Sequence, residues 1–265
     1  MLAAVQTLPT PGNKVANLDI VDTYAQQAAQ AGMRIVVFPE LFLTGYNLGT
    51  ALQRLAEPLD GPSMAALRGI AARHAIALVV GLPERRDGAL WNTAVVIDRQ
   101  GQLRGAYRKI HLFGETEPRL FRRGDALCVV DVDGLKVGVA ICYDIEFPEM
   151  ARALVRAGAD VICVPTANME PYREVPTTLV RARALENGVP VVYANLSGQE
   201  GDLTYTGLSG IVGPDGIDLA RAGPVGDALL MADPDLALTG LRAGLSTQAA
   251  DLRPTALCQL SDGLT

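Results

Sequence analysis

The chain contains 265 residues, of which 49% are hydrophobic and 20% are charged, and this composition excludes an intrinsically disordered protein. The formal net charge is −6, and aromatic residues make up only 5% of the chain. Surfaces that bind nucleic acid need clustered cations or stacking aromatic rings, so we expect no nucleic-acid partner.

The N-terminal sequence and the cysteines indicate the compartment. The start, MLAAVQTLPTPGN, has neither the basic region nor the apolar region of a signal peptide. No apolar run reaches the roughly 18 residues that a membrane helix needs, so we expect no membrane partner. The four cysteines form no CxxC pair, and a chain of this length needs no disulfides, which favours a reducing, cytoplasmic location.

Short apolar runs alternate with amphipathic segments from the N-terminus onward. Strands are predicted at 2–6, 34–38, 75–81, 92–98 and 103–107, and helices at 15–31 and 63–74. Further along, residues 126–132 and 135–141 flank Asp133-Gly134, a strong hairpin signal. Helices follow at 148–157 and 174–187, and strands at 161–165, 189–194, 207–212 and 228–232. This order predicts an α/β protein with two sheets covered outside by helices, in one domain over 1–265.

Several common catalytic motifs are missing. The chain has two histidines, His74 and His111, so a histidine-rich metal site cannot form. It contains no GxSxG, GxxxxGKS/T or GxGxxG motif, which argues against a serine hydrolase, a P-loop NTPase and a dinucleotide-dependent oxidoreductase. We therefore expect no metal and no organic cofactor.

Three strand-like runs each end on a side chain that can do chemistry, namely Glu40, Lys109 and Cys142. In α/β sheets ligands bind outside the carboxyl ends of strands, so this repetition predicts a shared site. Taken singly, each residue is more simply a surface charge or a small core residue. Cys142, however, precedes a turn into a helix, whose N-terminus favours a thiolate. The remaining cysteines lack this context and are interpreted as structural or incidental. They are Cys128, Cys163 and Cys258.

The blocks FPELFLTGYN, YRKIHLFGE and ICYDIEFPE occur in this order and resemble the carbon–nitrogen hydrolase, or nitrilase, superfamily. The resemblance covers nearly the whole chain and is strongest to small bacterial aliphatic amidases, such as delta-aminovaleramidases. It implies an αββα four-layer sandwich, a triad of Glu40, Lys109 and Cys142, and no cofactor. It also implies a homo-oligomer, a dimer or larger, that acts on a small-molecule amide.

The residue types of this triad suit amide hydrolysis. Cys142 would be the nucleophile, and Glu40 would be the base that takes its proton. Lys109 and the backbone N–H of Tyr143 would stabilise the tetrahedral oxyanion. Glu40 would then protonate the leaving ammonia and activate the water that hydrolyses the thioester.

Members of the family often carry a second glutamate after the lysine, where it orients substrate and base. Here the segment GETEP offers Glu115 and Glu117; the spacing back from Gly124 favours Glu117, and both stay open as the second catalytic carboxylate. His111 follows the lysine closely and is a tempting partner for a cysteine. The resemblance gives it no such role, so we prefer a structural interpretation to a catalytic one.

Four residues are assigned to substrate binding: Tyr46, Tyr143 and Glu146 within these blocks, and Asn168 within the segment PTAN at 165–168, which the resemblance also covers. Many relatives that act on carboxylate-bearing substrates have an arginine in the segment where this chain has Glu146. A carboxylate there would repel such substrates and favour an amine. The other interpretation is that Glu146 merely supports the N-terminus of the following helix.

An amidase that converts a small aliphatic amide to a carboxylic acid and ammonia is the leading hypothesis. A nitrilase or an N-carbamoyl hydrolase would use the same triad, and both are alternatives. A non-catalytic binding or assembly module is the alternative from another class, and the intact triad argues against it.

Overall fold

A computed structural model describes residues 1–233 and 246–253. Within these ranges the strands are β1 (Leu2–Gln6), β2 (Ile35–Val37), β3 (Ala77–Arg86), β4 (Ala89–Ile97), β5 (Leu103–Arg108), β6 (Cys128–Val132), β7 (Leu135–Val139), β8 (Val161–Thr166), β9 (Val191–Asn195), β10 (Ser197–Glu200), β11 (Leu203–Thr206), β12 (Gly210–Val212), β13 (Asp218–Arg221) and β14 (Ala228–Ala232). The α-helices are α1 (Lys14–Gln30), α2 (Leu52–Leu55), α3 (Pro62–His74), α4 (Glu117–Leu120), α5 (Pro148–Arg156), α6 (Val180–Asn187) and α7 (Gln248–Asp251).

The strands form two mixed sheets with six strands each and a separate hairpin of β10 and β11. The first sheet has the order β14-β1-β2-β3-β4-β5, and the second has the order β13-β12-β9-β8-β7-β6. At the centre of each sheet three strands run parallel, β1 to β3 in the first and β7 to β9 in the second. The carboxyl ends of these parallel strands therefore share an edge in each sheet.

The side chains of β1 point alternately to the two faces of the first sheet, and each face packs against a different layer. Leu2 and Ala4 belong to a core cluster that also contains buried residues of the second sheet. Ala3 and Val5 point to the opposite face and pack with residues of α1 and α3. Helices α5 and α6 pack on the second sheet. The predicted αββα sandwich is confirmed.

The main differences from the sequence prediction lie in short or irregular elements. The hairpin β10–β11 was not predicted, because its strands, SGQE and LTYT, are short and largely polar. The helix predicted at 174–187 begins instead as a π-helical turn, Val175–Leu179, before α6. Cys258 lies outside the described residues. In the ranges that are described, the helices are too short or too polar to cross a membrane.

Candidate active site

Glu40 follows β2 in a segment that lies directly against β3. The backbone N–H of Phe38 donates to the Val79 carbonyl at 2.8 Å, and that of Leu43 donates to the Gly81 carbonyl at 3.3 Å. A β-carbon at Gly81 would lie 2.7 Å from the Glu40 Cα, closer than two carbons can approach. Position 81 therefore has to be glycine for the Glu40 side chain to be held in the interior.

Lys109 directly follows β5, and the main chain holds it on both sides. Its N–H donates to the Asn92 carbonyl at 2.9 Å, and its own carbonyl accepts from the Gly124 N–H at 2.8 Å. Its Nζ donates to Glu40 Oε1 at 2.7 Å and to Glu117 Oε1 at 2.8 Å. We call these three residues the enclosed cluster, because the exposed fractions of the Lys109, Glu40 and Glu117 side chains are 0%, 0% and 4%. One ammonium therefore lies between two carboxylates without solvent.

Burial and charge act in opposite directions on the lysine of this cluster. Burial alone would lower the pKa of Lys109, but the Glu117 and Glu40 carboxylates outweigh it and hold the pKa well above its usual value. Burial raises the pKa of Glu40, the ammonium opposes this, and the nearby Glu117 adds to it. Glu40 Oε1 also accepts from Asn92 Nδ2 at 2.6 Å, whereas its buried Oε2 has no partner among the described residues. Lys109 thus stays charged, and Glu40 keeps one oxygen available for a proton.

The structure distinguishes the two glutamates of GETEP. Glu117 opens α4, and besides its contact with the lysine it accepts from the Tyr46 hydroxyl at 2.7 Å and from the Phe113 N–H at 2.8 Å. Glu115 is 85% exposed and pairs with Arg119. Glu117 therefore belongs to the enclosed cluster, and Glu115 lies outside it. Tyr46, assigned to substrate binding, contacts the cluster through its hydroxyl.

Cys142 opens a short 3₁₀ turn, Cys142–Glu146, just after β7. Its φ of +48° is a left-handed conformation that residues other than glycine rarely adopt. Thr166 and Ala167, at the carboxyl end of β8, adjoin the sulfur, and both lower the pKa of the thiol slightly. The second sheet thus contributes the thiol, and the first sheet contributes the enclosed cluster.

The sequence prediction that a helix N-terminus stabilises the Cys142 thiolate is wrong for this structure. Burial raises the pKa of the thiol above its usual range, the Glu40 carboxylate adds to this, and Lys109 opposes it only partly. The physical reason is local geometry, because α5 begins only at Pro148 and a 3₁₀ turn separates it from the sulfur. The thiol is therefore protonated at neutral pH, and a base has to remove its proton before it can attack.

His111 contacts a carboxylate. Its Nδ1 lies 2.7 Å from Asp144 Oδ1, and its ring stacks on Phe147 with the centroids 3.9 Å apart. This placement agrees with a structural interpretation of His111. Tyr143 packs edge-on against Phe113 at 5.3 Å and against Phe147 at 5.0 Å, so aromatic rings surround the turn that carries the thiol.

Glu146 closes the turn that Cys142 opens, and its side chain is half-buried. Burial raises the pKa of Glu146, and the Glu174 carboxylate adds to the shift, while Lys109 and Arg183 oppose it. In the described part of the chain no hydrogen bond or ion pair involves the Glu146 carboxylate. Arg183 donates a hydrogen bond to the main-chain carbonyl of Glu146, at 2.6 Å, and none to the Glu146 carboxylate.

Asn168 is buried, and the fold already uses the donors of its side-chain amide. Its Nδ2 donates to the Tyr172 carbonyl at 2.8 Å and to Thr206 Oγ1 at 3.1 Å. The structure therefore places it in a network that holds loops together, and among the described residues it has no hydrogen bond to the enclosed cluster. Sequence reasoning missed Asn92 and Thr166, although Thr166 ends a parallel strand and the rule about carboxyl ends could have found it.

A cavity of about 270 Å³ adjoins the enclosed cluster. Its lining includes Tyr46, Phe113 and Glu117 from the site and Asp202 and Leu203 from the β10–β11 hairpin. A larger cavity, of about 520 Å³, lies beyond Leu120 and Phe121 of the same lining and contains no candidate catalytic residue. The smaller cavity is therefore the better candidate for a substrate pocket.

Comparison with known proteins agrees with this geometry. The family model described as carbon-nitrogen hydrolase matches residues 1–243. The chain belongs to the carbon-nitrogen hydrolase family. A protein of Pseudomonas protegens named "Hydrolase in pqqF 5'region" is 43% identical over 98% of this chain and 91% of its own length. An (R)-stereoselective amidase of a Pseudomonas species is 39% identical over 71% of this chain and 69% of its own length.

Solved structures of an amidase from a Nesterenkonia species are also similar to this carbon-nitrogen hydrolase. One of them superposes with a TM-score of 0.85 at 34% identity and covers 95% of this chain and 92% of that one. In another, a glutamate-to-glutamine mutant, the acetamide moiety of fluoroacetamide is covalently added to the active-site cysteine; it too has a TM-score of 0.85, at 33% identity, over 95% of this chain and 93% of that one. The protein is thus an enzyme of the nitrilase superfamily with amidases among its relatives.

Proposed function

We propose that this enzyme is an amidase that hydrolyses a small aliphatic carboxamide to a carboxylic acid and ammonia through a thioester on Cys142. The observation that carries the proposal is the enclosed cluster of Glu40, Lys109 and Glu117 beside the half-buried, protonated thiol of Cys142. A charged lysine supplies a fixed donor for an oxyanion, and a glutamate with a free oxygen supplies a base.

The reaction follows from these positions. Glu40 takes the proton from the Cys142 sulfur, which attacks the amide carbon and places the negative charge on the amide oxygen. The Lys109 ammonium and the Tyr143 N–H stabilise that oxyanion. The carbon–nitrogen bond then breaks as Glu40 gives its proton to the nitrogen, and ammonia leaves. Glu40 next takes a proton from water, whose oxygen attacks the thioester carbon. The carbon–sulfur bond breaks, the acid leaves, and Glu40 returns the proton to the sulfur.

Glu117 has a supporting role in this scheme. Its Oε1 accepts a second hydrogen bond from the lysine, besides the one to Glu40, and its other oxygen is fixed by the Phe113 N–H at 2.8 Å. Because Lys109 contacts two carboxylates, its charge persists whether Glu40 is ionised or carries the proton of the thiol. The Lys109 ammonium therefore remains a donor to the oxyanion while Glu40 takes up and releases its proton.

Charge around the site supports an amine on the substrate. The half-buried Glu146 carboxylate shares the turn of the nucleophile, and the pocket lining contributes the Asp202 carboxylate besides Glu115 and Glu117, which are paired with Arg119 and Lys109. Such surroundings favour a cationic group and repel a carboxylate. We therefore propose ω-amino amides such as 5-aminopentanamide as the preferred class.

A substrate panel with ammonia detection tests the proposal. Aliphatic amides, with and without a terminal amine, are compared with nitriles and N-carbamoyl amino acids of equal chain length. We expect kcat/KM to be highest for the amides, and Cys142→Ala to remove the activity. A preference for nitriles or carbamoyl compounds would favour a nitrilase or an N-carbamoyl hydrolase instead.

We also propose that the chain forms a homo-oligomer. Two exposed apolar side chains support this, Leu185 on α6 and Ile217 before β13, which are 44% and 64% exposed. They lie close together, since a β-carbon at Gly216 would be 3.1 Å from Leu185. Sedimentation velocity tests the proposal, because Leu185→Glu should convert an oligomer that uses this surface to monomers.

A further inference from the structure

One buried carboxylate connects the two segments that carry the thiol and the lysine. Asp144 is fully buried within the turn that Cys142 opens. Its Oδ2 accepts from the Ile141 N–H at 3.0 Å and from the Tyr107 hydroxyl at 2.7 Å. Its Oδ1 accepts from the His111 N–H at 2.9 Å and contacts His111 Nδ1 at 2.7 Å. Each oxygen therefore has two partners.

The partners of this carboxylate come from both sheets. Ile141 directly precedes the nucleophile, at the end of the segment that leaves β7. Tyr107 belongs to β5, and His111 follows it, so these two residues flank Lys109 in the chain. Hydrogen bonds to an ionised acceptor are shorter and stronger than those between neutral groups. One side chain thus fixes the main chain on each side of the gap between thiol and ammonium.

We propose that Asp144 is a positioning residue for the hydrolysis, which sets the distance and direction between the Cys142 sulfur and the Lys109 ammonium. The inference rests on the proposed function. Asp144 has no hydrogen bond to the side chains of Glu40, Lys109 or Cys142 in the described chain, and it acts through the main chain of their neighbours. It also holds the turn in which Cys142 keeps its left-handed conformation.

Geometry of this kind has a large effect on rate. A displacement of about 1 Å between a nucleophile and the group that stabilises its product charge costs roughly a hundredfold in rate. The described residues that line the cavity have no hydrogen bond to the Asp144 side chain. Loosening the connection should therefore lower kcat much more than it raises KM.

The variant Asp144→Asn keeps the shape of the side chain but replaces one acceptor oxygen with a donor. We expect kcat to fall by about a hundredfold and KM to change by less than about threefold. Tyr107→Phe removes a single donor from the same carboxylate, so we expect a smaller fall in kcat, about tenfold. The rate at which iodoacetamide alkylates Cys142 at neutral pH should fall in the same order.

A matched control separates positioning from stability. Asp98 is also a buried aspartate in a turn, between β4 and β5, and its Oδ1 accepts from the N–H groups of Gln100 and Gln102 at 3.0 and 2.8 Å. It lies at the opposite end of β5 from Lys109. Asp98→Asn should therefore lower the melting temperature without changing kcat or the alkylation rate.

The outcomes are distinct. If folded Asp144→Asn keeps kcat within about threefold of the parent, or loses activity only in proportion to its unfolded fraction, the inference is overturned. If Asp144→Asn does not fold, Tyr107→Phe decides, and unchanged kcat and alkylation in that variant would overturn the inference as well. Failure of the proposed function looks different, because the parent would then prefer nitriles or N-carbamoyl compounds to amides, or its amide hydrolysis would survive Cys142→Ala.

Discussion

Two clusters of three charged side chains in the described part of the chain differ in burial, one enclosed at the strand ends and one at the surface beside β13. In the enclosed cluster Lys109 lies 2.7 Å from Glu40 and 2.8 Å from Glu117, and solvent is excluded. Burial works against each of these charges, and only their mutual contacts keep the lysine ionised. The arrangement holds charge where an oxyanion is expected to form.

The surface cluster has the reverse composition, with one carboxylate between two guanidinium groups. Asp218 lies 2.5 Å from Arg181 and 2.6 Å from Arg221, distances slightly shorter than those inside. Arg181 is nevertheless 46% exposed, so water and salt weaken the attraction. Contact distance alone therefore does not separate a reactive cluster from an ordinary surface one, whereas burial does.

The largest effect is expected at the thiol that faces the enclosed cluster. Cys142→Ala should abolish amide hydrolysis, because it removes the sulfur on which the thioester is proposed to form. Mass spectrometry of a reaction quenched early should show an acyl adduct on the peptide that contains Cys142. Cys128→Ser and Cys163→Ala are the controls, since both residues lie within the core clusters, and both variants should retain most activity. An adduct on another cysteine would contradict the assignment.

The comparison between the clusters is tested by removing one cation from each. Lys109→Met should lower kcat by about a hundredfold or more, as does the loss of an oxyanion donor, whereas Arg181→Met should leave kcat within about twofold. Steady-state kinetics on purified, folded variants measures both. Equal losses of kcat in the two variants would show that burial does not distinguish a cluster that takes part in catalysis from one that does not.

Removing the proposed base gives a second test of the enclosed cluster. Glu40→Gln should lower kcat by about a hundredfold, because the amide cannot accept the thiol proton, while the hydrogen bond with Lys109 persists. Circular dichroism should show an unchanged fold, since the side-chain volume is kept. Near-normal kcat in this variant would mean that another group takes the proton.

Much of this arrangement was predictable from sequence. Apolar runs that end at Glu40, Lys109 and Cys142 predicted that strand ends would meet, and the structure places all three residues at such ends. The thiol pKa was predicted in the wrong direction, because a sequence shows that a helix follows a cysteine but not how far its first turn lies from the sulfur. Burial, the stronger influence, is a property of the packed sheets.

Other parts of the site depend on the pairing register of neighbouring strands, which cannot be read from the identity of single residues. Thr93 pairs with Arg108 across β4 and β5, and this register places Asn92 beside the lysine. One residue of slip would have turned the Asn92 side chain away from Glu40. The choice between Glu115 and Glu117 also needed the structure, because only the first turn of α4 shows which carboxylate enters the interior.

A smaller effect is expected at Glu146, whose side chain is half-buried. Glu146→Gln should reduce the preference in kcat/KM for an ω-amino amide over an ω-carboxy amide of equal length by about tenfold, which corresponds to roughly 1.4 kcal/mol. Rates on a neutral amide serve as the control and should change little. Equal rates for both charged amides in the parent would remove the proposed amine preference and leave the amidase proposal intact.

The smallest effect is expected at the surface cluster. Partial burial raises the pKa of Asp218, but hydrogen bonds from Arg181 and Arg221 outweigh it and hold the pKa at about 2, below the 3.8 of a free aspartate. A lowered pKa stabilises the fold fully when the pH is above the pKa of the unfolded state, and this contribution is lost as the pH falls toward 2.

Asp218→Asn should therefore lower the free energy of unfolding by about 1 kcal/mol or less at neutral pH, because exposed ion pairs contribute little. Urea unfolding should show this difference shrinking below about pH 4 and in high salt, with kcat unchanged. A difference that persists in acid and salt would mean that Asp218 stabilises the fold through its shape and not through its charge.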